Sequence, residues 1–73
     1  MAAADTITVA AVQQAFDAGR RNPGTQIVLA AAGQNTLAWV WGRRRYELRH
    51  DGKLVHHGAD VEDAVAAYNT AVS

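Results

Sequence analysis

Cysteine is absent from this 73-residue chain, proline and phenylalanine each occur once, and the only serine is Ser73. Without cysteine there are no disulfides, no thiolate metal ligands and no thiol nucleophile, a usage that suits a reducing cytoplasm. With no internal serine and no glycine-rich loop leading into a helix, the usual nucleophile and the usual phosphate cradle are missing too. Charge of one sign is not in excess: seven Lys and Arg balance seven Asp and Glu, so no global field draws the molecule to nucleic acid or to an anionic membrane. No apolar run approaches the roughly 18 residues that span a bilayer. Met1-Ala2-Ala3-Ala4-Asp5 has no basic region followed by an apolar core, so residues 1–6 read as a frayed tail and not as a secretory signal. The expectation from these absences is a cytoplasmic protein that is no enzyme, with no catalytic residues, no cofactor, no metal and no membrane partner.

The composition is that of an ordinary globular protein, 49% hydrophobic and 19% charged. Residues 1–73 read as a single domain, and a chain this short buries only roughly 60% of its unfolded surface. Thr8 to about Arg21 carries Val9, Val12, Phe16 and Gly19 at helical spacing, with Thr8 as N-cap, Ile7 stapled to Val12, and Asn22-Pro23-Gly24 as the stop. Asp60 to about Val72 repeats the pattern, with Val61, Val65, Tyr68 and Val72 on one stripe and Glu62 and Asp63 at the positive helix end.

Between the helices the period changes to two. Thr25 to Ala31, Thr36 to about Gly42, Tyr46 to His50 and Lys53 to His57 read as strands. Asp51-Gly52 suits a type I′ hairpin, which would pair His50 with Lys53, Leu48 with Val55 and Tyr46 with His57. A tight turn at Arg43-Arg44 would pair Trp39 with Leu48 and Trp41 with Tyr46, and a three-residue turn at Gly33-Gln34-Asn35 would bring Ile27, Leu29 and Ala31 to the same side. The expected fold is α+β: an N-terminal helix, an antiparallel sheet of three to four strands and a C-terminal helix, both helices on one sheet face. The other face would show Val28, Ala30, Ala38, Val40, Glu47, Arg49, Leu54 and His56.

Both tryptophans, three arginines and a tyrosine lie within Trp39–Tyr46. Trp39 and Trp41 share a side of their strand, either at the core or as a stacking platform; with so few other large residues available, the core reading prevails. Arg43, Arg44 and Arg45 on a turn would diverge, more than Glu47 could neutralise, and would attract phosphate or an acidic protein surface. His56 and His57 are adjacent and point to opposite faces, while His50 and His57 sit at opposite ends of their hairpin, so the histidines do not read as a metal set. Asp60, Glu62 and Asp63 read as helix capping.

In its order of helix, antiparallel strands and helix, the chain resembles the double-stranded-RNA-binding domain, a likeness confined to architecture. That family opens its final helix with a phosphate-gripping lysine cluster; here the segment is Asp60-Val61-Glu62-Asp63. In size and lack of cysteine the chain resembles the small inhibitors that phages and mobile elements direct at host machinery, anti-CRISPR proteins among them. The expected function is a non-catalytic inhibitor or adaptor that occupies a surface of a larger protein partner, or of a second copy in a homodimer, through Arg43, Arg44, Arg45, Arg49, Val40, Glu47, Leu54 and His56. A nucleic-acid-binding module built on Arg43–Arg45 is the second expectation.

Overall fold

Thr8 opens the first helix α1, Val9–Gly19: its backbone is extended and its hydroxyl oxygen accepts from the Ala11 N–H at 3.1 Å, satisfying an otherwise orphaned donor. The computed structural model describes residues 6–21 and 24–73; residues 1–5 of the tail expected over 1–6 and the Asn22-Pro23 part of the expected helix stop lie outside the described residues. Ile7 packs against the core that holds Val12, as a hydrophobic staple requires. Asp60 caps the second helix α2, Val61–Val72, by accepting from the Glu62 N–H at 2.9 Å. Asn69 joins the two helices. Its side-chain oxygen accepts from the Ile7 N–H at 2.8 Å and its amide donates to the Ile7 carbonyl at 2.9 Å, pinning the lead-in of α1 to α2.

Four strands form an antiparallel meander in the order β1-β2-β3-β4: β1 Gln26–Ala32, β2 Asn35–Val40, β3 Arg45–His50 and β4 Lys53–Gly58. The β3–β4 turn is the one the sequence marks most firmly, with Asp51 at φ 52° and Gly52 at φ 82°, both left-handed as a type I′ turn demands. His50 pairs with Lys53 and Arg49 with Leu54, as expected. Beyond them the register shifts at Val55, so that His56 faces Leu48 and Gly58 faces Tyr46. This bulge corrects the expected pairing. One extra residue moves His56 off the open face to the helix side, sends His57 to the open face and leaves Val55 exposed.

A second bulge corrects β1. The β1–β2 turn has two residues, Gly33-Gln34, rather than three, and Asn35 joins β2 opposite Ala32. That shortening brings Ala30, expected on the open face, opposite Leu37 on the helix side; the shift between Val28 and Ala30 then restores the phase and returns Ile27 to the inside, opposite Trp39. The β2–β3 turn spans Trp41–Arg44, with the Arg44 N–H donating to the Trp41 carbonyl at 3.2 Å and Arg44 at φ 52°. It pairs Trp39 with Tyr46 and Leu37 with Leu48. The slip from the expected register is two residues, an even number, so no side chain changes face.

Both helices pack on the face of Leu37 and Leu48, and the core is Val12, Leu37, Leu48, Ala64, Val65 and Tyr68. Tyr68, not a tryptophan, is the largest fully buried side chain. Trp39 is half-buried and Trp41 is 36% exposed, because α2 lays Tyr68 over the centre of the sheet while the tryptophans lie toward the β2–β3 turn. There Phe16 of α1 meets Trp39 at 6.0 Å and Trp41 at 5.5 Å, and Trp39 meets Tyr46 at 4.9 Å. The two indole planes stand at 87° and form no flat platform. Among the described residues no helix is long and apolar enough to cross a membrane.

Gly19 sets how closely α1 approaches β1. A Cβ there would lie 2.4 Å from Ile27 Cγ2. Gly19→Ala gains about 1 kcal/mol in helix propensity but overpacks a β-branched neighbour at about 1 to 3 kcal/mol, so urea unfolding is expected to show net destabilisation of about 1 kcal/mol. The sign should reverse in an Ile27→Ala background, where the contact is gone. Trp39→Ala is expected to cost about 3 kcal/mol and Trp41→Ala about 1 kcal/mol in the same measurement; equal losses would mean that the rings share one environment.

Candidate functional site

The open sheet face is organised around one carboxylate. The cross-strand row Val28–Ala38–Glu47–His57 runs through its centre, flanked by a row holding Val40 and Arg45 and another holding Thr36, Arg49 and Leu54. No helix covers this face, yet the Glu47 side chain is 3% exposed, and what closes over it comes from its own hairpin. Arg43 donates from Nη1 to Glu47 Oε2 at 2.9 Å, Arg45 from Nε to the same oxygen at 2.9 Å, and Arg49 from Nη2 to Oε1 at 3.1 Å. Arg45 and Arg49 stand two residues either side of Glu47 and so share its face, while Arg43 reaches back from the turn.

The rest of each guanidinium is partly committed. Arg49 Nη1 donates to the Gly52 carbonyl at 3.2 Å, tying the latch to the β3–β4 turn. Arg45 Nη1 lies 3.3 Å from His57 Nδ1, a contact that requires Nδ1 to be the bare, accepting nitrogen. Three guanidiniums against one carboxylate leave a local surplus of two positive charges, spread over side chains that keep an outer edge in solvent. Burial pushes the Glu47 pKa up, but hydrogen bonds from Arg43, Arg45 and Arg49, and the charge of Arg43, outweigh it and bring the group from an ordinary 4.5 to about 2.

The structure brings together Arg43, Arg45, Glu47 and Arg49, with Val40 half-buried beside them and Leu54, 38% exposed, at the rim. Arg44 stays apart, exposed at the left-handed position of the turn. The carboxylate of Glu47 is occupied from within and offers a partner no free surface. His56 lies on the helix side, where its Nε2 is buried. Of the turn arginines expected to diverge, Arg44 does and two positive charges are left unneutralised, but Arg43 and Arg45 converge on Glu47 instead. Arg43-x-Arg45-x-Glu47-x-Arg49 has a strict period of two, and that alternation was the signal that could have revealed the latch. Among the described residues no group of three or more His, Asp or Glu is placed to hold a metal ion.

A depressed carboxylate pKa stabilises the folded state above the unfolded value and ceases to do so as pH falls through the folded one. Glu47 should therefore contribute up to about 3 kcal/mol at neutral pH, fading between pH 4.5 and about 2. Glu47→Gln should destabilise the protein by about 2 kcal/mol at pH 7, less than for a fully buried ion pair because the arginines can turn to water. Urea unfolding at stepped pH should show the wild type and the variant converging as pH approaches 2; a constant gap would remove the charge argument.

No protein-family model, no curated protein and no solved structure matches this chain.

Proposed function

We propose that the protein is a non-catalytic binding module whose open sheet face docks on an acidic surface of a larger protein, acting as an inhibitor or adaptor of the kind phages and mobile elements direct at host machinery. The observation that carries this reading is the latch: three arginines held in fixed positions over a buried carboxylate, with two positive charges left over. Side chains already immobilised lose little entropy on binding, and arginine forks recognise carboxylates in defined directions. Val28, 53% exposed, and Leu54 add apolar area beside the charge, a mixture typical of protein contacts. A nucleic-acid reading draws less support, because Glu47 cancels part of the field that phosphate would need and the tryptophans give no stacking surface.

Substitutions at Arg45 or Arg49 disturb Glu47 and so confound folding with binding. Leu54→Asp and Arg44→Gly leave the latch intact. Arg44→Gly also relieves a left-handed arginine, so its thermal midpoint should rise slightly. Leu54→Asp should leave the midpoint within a few degrees of wild type. With a partner captured from the source cells, calorimetric titration should show each variant weakened by about 1 to 2 kcal/mol. Undiminished binding by both would move the contact off this face. Sub-micromolar binding to DNA or RNA duplexes, steeply dependent on salt, would replace the protein partner with nucleic acid.

A further inference from the structure

On the helix side of the sheet, away from the arginines, Val12, Gln13, Phe16 and Asp17 of α1 and Tyr46 of β3 line a pocket of about 220 Å³. Trp39 holds its two rings, meeting Phe16 edge-on at 6.0 Å and Tyr46 at 4.9 Å, so neither ring can swing into the opening without unpacking that cluster. Opposite Tyr46 in β4 stands Gly58, which has no side chain to cover the flank of the phenol.

The one charged side chain among the described residues lining this pocket is acidic. Asp17 lies at its lining with a largely exposed carboxylate, 4.0 Å from the Arg20 guanidinium. Burial and then the charge of Asp60 push the Tyr46 phenol pKa up, against its ionisation. No Lys or Arg lines the pocket. Aromatic faces carry negative potential and attract cations, most strongly where water is partly excluded.

We propose that this pocket receives the cationic end of a side chain, a guanidinium or an alkylammonium, with its aliphatic stem on Phe16 and its charge between the Tyr46 ring and Asp17. The occupant must combine an apolar stem with a positive head, because the walls are aromatic and aliphatic while the rim is acidic. The inference is independent of the reading of the sheet face, since it uses a different side of the molecule and the opposite charge.

The test is a titration of the full chain followed by carbon-resolved spectra of the Phe16 and Tyr46 rings. The probes are N-acetyl-arginine amide, the amide of N-acetyl-trimethyllysine, and N-acetyl-norleucine amide as the neutral isostere. Saturable ring shifts are expected with both cations at about millimolar concentration, with no saturation by the neutral probe. Asp17→Asn changes an exposed residue and should leave the backbone amide spectrum intact while weakening both cations about three- to tenfold. Phe16→Leu, checked for folding by the same amide spectrum, should weaken them further. Absence of saturable shifts in the folded wild type, equal response to the neutral isostere, or unchanged affinity in Asp17→Asn would each overturn the proposal.

Discussion

A sheet with helices on one side only has a second face that must be closed by other means. In this chain the means is Glu47. Its carboxylate sits at the middle of the uncovered face, and by drawing in Arg43, Arg45 and Arg49 it folds their long side chains over the strands that carry them. The arginines act as a thin outer layer, apolar along the stems and charged at the ends. Remove the carboxylate and three like charges crowd one patch; remove the arginines and a carboxylate lies buried without partners. The closure of this face and its surface chemistry are thus set by the same four residues.

Much of the fold is legible in the sequence because its local signals agree with one another. Thr8 and Asp60 mark both helix starts, Asp51-Gly52 fixes a hairpin, and the change of period from 3.6 to two separates helix from sheet. What was not legible is where the strands depart from regular pairing. The bulges at Leu29 and Val55 are set by what the residues on either side must bury, a tertiary demand with no local marker, and one of them decides the face of His56. The tryptophans face the helix side as their spacing requires, but Trp39 near the end of β2 and Trp41 in the following turn pack on Phe16 of α1 and remain only partly buried. The latch is legible in the alternation Arg43-x-Arg45-x-Glu47-x-Arg49, which puts all four residues on one side of the chain.

The zero net charge conceals a division of sign across the molecule. The open sheet face holds the arginine surplus, while the helix side carries Asp60, Glu62 and Asp63 at the start of α2 and Asp17 beside Arg20 on α1. A balanced sequence therefore does not imply a featureless field. Two surfaces of opposite character on one small domain are an arrangement suited to orienting the molecule against a partner that presents both signs.

The two bulges, which above only reset the phase of side chains, lie in β1 and β4, the two outermost strands of the meander; β2 and β3 pair without interruption. An outer strand presents free backbone groups along one side, and a flat run of them is an open invitation to another strand. A kink in each interrupts that run near its middle. Both edges of the four-stranded sheet are thereby blunted against pairing with a further strand.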